Sequence, residues 1–257
     1  MREVKVLNDS KYEKLLKNDK LLRKIVYSID KAIGEDLSQY LREHHRETNN
    51  AIVQLRGDFI NDNLRHHVVD ENTELIPFQR SGWSGRIIID RLNRTTYTVT
   101  TVSTLSAIPK KKERTKPHYL QSVLAIENKE CKGTPKQITL FECGMTAFDT
   151  QFLEQDFNSI NQGLINVDEN YVHYIIAYKA EHGEIKDIDL KLLDKDFDTV
   201  DETSLNEYIK PDFARLTDVG PAEQSNEIEE NTDSKKLVAI KAGLKPNLKV
   251  VEKREQA

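Results

Sequence analysis

Two carboxylates and a lysine in the middle of the sequence could together cut a phosphodiester. Asp90 ends an apolar stretch, and Glu127 and Lys129 follow a second apolar stretch with one residue between them. Carboxylates on neighbouring strands can hold Mg²⁺, while a nearby lysine orients the attacking hydroxide. The gap between Asp90 and Glu127 is wide, and Glu-x-Lys is common in a chain in which 32% of the residues are charged. A metal-dependent nuclease is therefore the third of three interpretations.

Other patterns for metal binding or catalysis have less support. The seven histidines include His44-His45 and His66-His67, and neighbours on a helix point in different directions, so neither pair presents two ligands to one metal. No glycine-rich phosphate loop and no Gly-x-Ser-x-Gly is present. Cys131 and Cys143 fit neither a disulfide framework nor a zinc ribbon. We predict free thiols, no metal, no cofactor and no catalytic residue.

Basic residues are concentrated in the middle of an otherwise acidic chain. The net charge is −5, whereas residues 80–136 carry +8 and residues 137–234 carry −17. A cationic segment neutralises phosphates and releases their counterions, so DNA or RNA is a natural partner. Charge pairing with the acidic block, within or between chains, is the alternative. The cations that we assign to nucleic-acid binding are Arg91, Arg94, Lys110, Lys111, Lys112, Arg114 and Lys116.

A short stretch between Gly133 and Gly144 has the pattern of a linear docking motif. It reads Gln137-Ile138-Thr139-Leu140-Phe141 and resembles the pentapeptide by which bacterial polymerases and repair proteins dock on the DNA sliding clamp. Leu and Phe side chains that enter an apolar groove each contribute about 1.5 to 3 kcal/mol, and a Gln amide fixes the register. The resemblance implies the sliding clamp as a partner. The same alternation also fits a core strand.

The first third of the chain has helical periodicity. Apolar residues recur at helical spacing from Ser10 to Val68, which predicts three or four helices, with a break at Gly34. After Pro77 the period changes to two, and residues 86–102 read as a hairpin that turns at Asn93. Helices followed by a hairpin also allow a winged helix, with Asp58–Leu64 as recognition helix and Arg91 or Arg94 on the wing.

The acidic half mixes both kinds of element. We predict a helix over 147–164, a second hairpin over 171–193 that turns at His182-Gly183, and a helix near 204–208. The apolar run Tyr119 to Ile126 fits either a helix or a strand. Together these elements predict an α+β protein: an N-terminal helical region followed by a mixed, largely antiparallel sheet with flanking helices.

Composition divides the chain further. Residues 220–236 are polar and acidic without periodicity, as in a linker, and residues 237–257 form a basic tail that could dock on this chain or a partner. The predicted division is a helical region over 1–75, an α+β core domain over 76–219, the acidic linker and the basic C-terminal tail peptide. Mean hydropathy is −0.64, and neither a signal peptide nor a membrane-length apolar run is apparent, so we expect a cytoplasmic location and no membrane contact.

Three segments carry a broader resemblance. Asp58–Leu64, Trp83–Arg91 and Leu192–Val200 together resemble a family of uncharacterised bacterial proteins associated with mobile elements. The resemblance extends over most of the chain before the acidic linker. It contains no catalytic motif and implies phage or plasmid biology rather than an activity.

We therefore predict a non-catalytic binding protein of bacterial DNA metabolism or mobile-element defence. It would be tethered to the sliding clamp and would contact nucleic acid through its basic middle segment. The alternative is an antitoxin-like or inhibitor protein that binds a protein partner through its acidic surface or the 237–257 tail. The two interpretations differ in the surface that binds the partner, which is the basic middle segment in the first and the acidic surface or the tail in the second.

Overall fold

The computed structural model describes residues 19–44, 48, 50–80, 82–110, 113–134 and 146–209. All of them belong to the unit that spans Met1–Lys210. The acidic linker, the basic tail, the clamp-type pentapeptide and Cys143 lie outside the described residues.

Between Asp19 and His67 the described residues are mainly helical, as their periodicity predicts. Helix α1 covers Asp19–Lys31, a π-helical turn covers Ala32–Asp36, α2 covers Leu37–Glu43 and α3 covers Ile52–His67. The predicted break at Gly34 is wrong, because the helix widens there into the π turn and then continues. Ile33 and Gly34 are buried within this turn, so burial offsets the low helix propensity of glycine.

Six strands form one sheet in which the spatial order follows the chain order. The strands are β1 Thr73–Arg80, β2 Trp83–Asp90, β3 Thr95–Thr101, β4 Val172–Glu181, β5 Glu184–Leu193 and β6 Thr199–Ser204. All neighbours are antiparallel except β3 and β4, which are parallel. Parallel neighbours need a long crossover, and this one contains α4 Val102–Ala107, α5 Tyr119–Glu127 and α6 Thr150–Asn161. The predicted α+β class, with N-terminal helices and a mixed, largely antiparallel sheet, is confirmed.

Each face of the sheet is covered by helices. The N-terminal helices pack on one face through Ile25, Ile29 and Leu64, where they meet Ile88 and Tyr97. The crossover helices cover the other face through residues such as Leu120, Val123, Leu124, Phe157 and Ile160. Because side chains alternate along a strand, consecutive residues of β2 and β3 belong to different cores.

The two predicted hairpins are both present. One joins β2 to β3 through residues 91–94, and the other joins β4 to β5 through His182 and Gly183, which have positive φ angles. The winged-helix alternative is wrong, because β3 also pairs with β4 instead of ending a free wing. Ile60 and Leu64 of the supposed recognition helix are buried in the core.

The ambiguous run Tyr119 to Ile126 is helical. Its start is fixed by a capping box, in which the His118 ring accepts the Leu120 N–H and the Gln121 side chain accepts the His118 N–H. Among the residues that the structure describes, no helix is both long and apolar enough to cross a bilayer.

Candidate functional site

A cavity of about 500 Å³ lies at the end of the sheet where β1 ends and β2 begins. Helix α3 contributes Arg56 and Gly57 to its wall, and the ends of β1, β2 and β3 contribute Arg80, Trp83 and Thr101. The connection into α5 completes the lining with Arg114, Lys116, Pro117, His118 and Tyr119. Segments that are far apart in the chain therefore share one concave surface.

Positive charge dominates this surface. No aspartate or glutamate occurs among the described residues that line the cavity. Its cations, which define what we call the arginine cavity, are Arg56, Arg80, Arg86, Arg114 and Lys116.

Three of these arginines have an unsatisfied donor. The Nε atoms of Arg56, Arg80 and Arg114 are buried and have no acceptor among the described residues. Arg80 is paired with Asp156 through Nη2, Arg56 hydrogen-bonds to the side chain of Tyr178, and Arg114 donates through Nη2 to the Ile108 carbonyl oxygen at 3.4 Å. The three side chains are partly exposed, but a buried donor without a partner is costly, so an anion that accepts from these Nε–H groups would stabilise them.

The pKa of His118 reflects the same surroundings. Burial, together with the positive charges of Arg114 and Arg80, lowers the pKa of this imidazole to about 4. Burial also lowers the pKa of the Arg114 guanidinium. Nδ1 of His118 accepts the Leu120 N–H at 3.3 Å, which leaves Nε2 as the protonated nitrogen of the neutral ring. The cavity thus disfavours additional positive charge.

Aromatic rings form one side of the cavity. Trp83 stacks on Tyr119 with ring centroids 5.6 Å apart and an interplanar angle of 28°. The ring centroid of Phe78 lies 4.8 Å from that of Tyr119. A Cβ atom at Gly85 would lie only 2.5 to 2.8 Å from the Phe78 and Trp83 rings, so a glycine lets these rings pack on the strand. Trp83 remains 45% exposed and offers a flat surface beside the arginines.

A buried polar network lies behind Tyr119, whose hydroxyl group hydrogen-bonds to Thr98. The imidazole of His173 is fully buried, with Thr98 Oγ1 2.9 Å from its Nε2 and Thr96 Oγ1 2.7 Å from its Nδ1. Glu127 accepts a hydrogen bond from Thr96, and its Oε2 lies 3.6 Å from His173 Nδ1. These groups satisfy one another, so Glu127 contributes to the packing of α5 on the sheet.

The structure does not bring Asp90 and Glu127 together. Asp90 accepts the N–H groups of Leu92 and Asn93 at 3.0 and 3.1 Å and so shapes the hairpin turn. By strand alternation its side chain shares a face with Ile88, whereas Glu127 contacts Thr96 on the other face. Lys129 is exposed. Within the described ranges no group of three His, Cys, Asp or Glu residues could hold a metal ion.

The cations singled out from the sequence separate into two places. Arg114 and Lys116 line the arginine cavity, and Lys110 is exposed on the connection that leads to them. Arg91 and Arg94 lie in the turn at the opposite end of β2. The two residues that fall outside the described part of this segment are Lys111 and Lys112.

Arg91 is held by an internal ion pair. Its Nε and Nη2 each lie 3.0 Å from a carboxylate oxygen of Glu74, and Nη1 donates to the Leu164 carbonyl and the Tyr171 hydroxyl. The pair with Glu74 raises the pKa of the Arg91 guanidinium. Its charge is therefore compensated, unlike the charges of Arg56 and Arg114, which form no ion pair within the described residues.

Several residues of the arginine cavity could not be selected from the sequence. Arg80 and Arg86 flank Trp83 inside the basic block. Cations next to an aromatic residue are the one sequence pattern that could have indicated a nucleic-acid site here. Arg56 comes from the distant helix α3, and His118 and Tyr119 belong to a run whose structure was ambiguous. Only the fold places these residues beside Trp83.

Comparison with known proteins gives one match. A family model, for a family of unknown function, matches residues 15–256. Neither a curated protein nor a solved structure matches the chain.

Proposed function

The chain belongs to DUF5986, a family of unknown function, and we propose that the protein binds nucleic acid through the arginine cavity. The observation that carries the proposal is the set of three buried guanidinium Nε–H groups without an acceptor in a cavity that no described carboxylate lines. Phosphate oxygens are strong acceptors, and the planar guanidinium matches them in bidentate geometry.

The aromatic side of the cavity supports the same ligand class. Proteins that bind single-stranded nucleic acid combine cations along the backbone with aromatic rings on which bases stack. Trp83 is half-exposed next to Arg80 and Arg86, so one nucleotide could meet both kinds of group. We place this activity in bacterial DNA metabolism or mobile-element defence, on the resemblance of Asp58–Leu64, Trp83–Arg91 and Leu192–Val200 to the mobile-element-associated family.

The test is a double variant, Arg56→Gln with Arg114→Gln, measured by fluorescence anisotropy with labelled single-stranded DNA. The dissociation constant is expected to rise at least tenfold at low salt, and the slope of log K against log salt should fall by about 1.4, because two phosphate contacts are lost. Thermal unfolding should show a folded protein, since Arg56 and Arg114 are partly exposed and form no ion pair within the described ranges.

A matched control removes two charges elsewhere. Lys179 and Lys186 are exposed and pair with Glu181 and Glu184, so Lys179→Gln with Lys186→Gln changes the net charge equally without touching the cavity. Equal weakening in both double variants would contradict a cavity-specific contact. Absence of DNA binding at low salt would instead favour the protein-interaction regulator that acts through the acidic surface.

The pentapeptide Gln137–Phe141 supports a second proposal, that the protein is tethered to the bacterial sliding clamp. In the full-length chain, Leu140→Ala with Phe141→Ala should abolish clamp binding in surface plasmon resonance, because these anchors carry most of the apolar contact. Ile138→Val is the conservative control and should retain binding. A parent protein that does not bind the clamp, or a double variant that unfolds, would favour the core-strand interpretation.

A further inference from the structure

The arginine cavity is built for a concentrated anion. Its three arginines with unpaired Nε–H groups come from α3, from the end of β1 and from the connection before α5, so they approach from separate elements. Five cations among the described residues line the cavity, and the ion pair of Arg80 with Asp156 offsets the charge of one of them. A phosphate monoester carries close to two negative charges at neutral pH, whereas a phosphodiester within a strand carries one. The excess of positive over negative charge in the cavity therefore favours the monoester, which carries more negative charge than the diester.

The size of the cavity and its aromatic side indicate which chemical group carries the phosphate. A volume of about 500 Å³ falls within the range of small-ligand pockets and cannot enclose a duplex. Trp83 stacks on Tyr119 by one face and is 45% exposed, so a base can stack on its other face, and a cavity of this size has room for one base rather than for a base pair. Gly57 on the wall has open space where a Cβ would be, which leaves room for a sugar.

We infer that the arginine cavity binds the terminal nucleotide of a single strand, with its phosphate monoester on Arg56, Arg80 and Arg114 and its base on Trp83. The inference rests on the proposed nucleic-acid binding and specifies which part of the nucleic acid enters the site. A free nucleoside monophosphate offers the same chemistry, so the test must separate the two sources. His118, whose Nε2–H is available as a donor, lines the same cavity.

The protein's single tryptophan, Trp83, gives a direct readout. The full chain is titrated with an eight-nucleotide single strand carrying a 5′-phosphate, a 3′-phosphate or neither, with the blunt duplex of the same sequence, with AMP and with inorganic phosphate. One of the phosphorylated strands should quench Trp83 and bind at least tenfold more tightly than the unphosphorylated strand. The duplex, AMP and inorganic phosphate should each bind more weakly than that strand.

Two variants assign the contacts. Arg56→Gln with Arg114→Gln should remove the advantage of the phosphorylated strand, while Trp83→Leu should weaken both strands about tenfold in anisotropy and keep the phosphate advantage. Thermal unfolding of each variant checks that it is folded.

The two proposals fail in different ways. Equal binding of phosphorylated and unphosphorylated strands, still dependent on Arg56 and Arg114, would overturn the terminal-phosphate inference and leave nucleic-acid binding intact. AMP that binds as tightly as the phosphorylated strand would overturn the strand-end assignment in favour of free nucleotide. Failure of every oligonucleotide to bind at low salt would overturn both proposals.

Discussion

Asn128→Ala is expected to lower the free energy of unfolding by about 3 kcal/mol. Asn128 is fully buried at the end of α5, and its Nδ2 donates to the carbonyl oxygens of His173 and Leu193 at 2.9 and 2.7 Å. Its Oδ1 accepts the His173 N–H at 2.8 Å. Alanine would leave these buried backbone groups of the sheet without their partner, and each such group costs about 1 to 3 kcal/mol.

Urea denaturation measures the loss, and Asn166→Ala is the matched control. The exposed side chain of Asn166 donates a hydrogen bond to Glu169, so its replacement should change the free energy of unfolding by less than about 0.5 kcal/mol. If the free energy of unfolding of Asn128→Ala lay within about 0.5 kcal/mol of the parent value, the structural role of Asn128 would be contradicted. The expected loss corresponds to a melting temperature lower by about 6 to 12 °C.

Asn128 and its neighbour Glu127 both have a structural role in this fold. Asn128 fastens the end of α5 to β4 and β5, and Glu127 completes the network around His173. The start of the same helix carries His118 and Tyr119 into the arginine cavity. A motif that resembles a metal site in the sequence therefore positions one wall of the candidate ligand site.

Local patterns predicted the elements of the fold well. Alternation of apolar residues predicted the hairpins β2–β3 and β4–β5 because each strand buries its faces, and helical spacing predicted the N-terminal helices. The break at Gly34 was wrong because burial of the surrounding turn outweighs propensity. Tyr119 to Ile126 was ambiguous because this short run is buried on nearly every side, which removes the periodicity that separates helix from strand.

The candidate site was predictable only in part. Net charge per segment pointed to Arg114 and Lys116, but it could not separate them from Arg91, whose charge is compensated by Glu74. That difference depends on pairing between strands. Arg56 enters the cavity because α3 packs on the sheet, a contact between distant segments for which the sequence has no local signal.

The protein is also expected to lose about 3 kcal/mol of stability between pH 7 and pH 4 through His118 alone. The imidazole has a pKa of about 4 in the folded chain, lowered from 6.5, first by burial and then by Arg114 and Arg80. Above pH 6.5 the ring is neutral in both states, so stability does not depend on its titration. Below that value the unfolded chain binds the proton more readily, and stability falls until the pH reaches the folded pKa.

The His118→Asn variant isolates this effect, because asparagine keeps a side-chain acceptor at the start of α5 but does not titrate. In urea denaturation from pH 7 to pH 4, the difference in free energy of unfolding between parent and variant should change by about 3 kcal/mol, and parallel pH profiles would contradict the assignment.

An anion in the arginine cavity would raise the pKa of His118 by offsetting the positive charges of Arg114 and Arg80. The terminal phosphate itself loses about one charge between pH 7.5 and pH 5, which weakens binding to both proteins. The stabilisation by a phosphorylated strand should therefore fall less in the parent than in His118→Asn over this range. The same histidine thus links the pH dependence of folding to occupancy of the cavity.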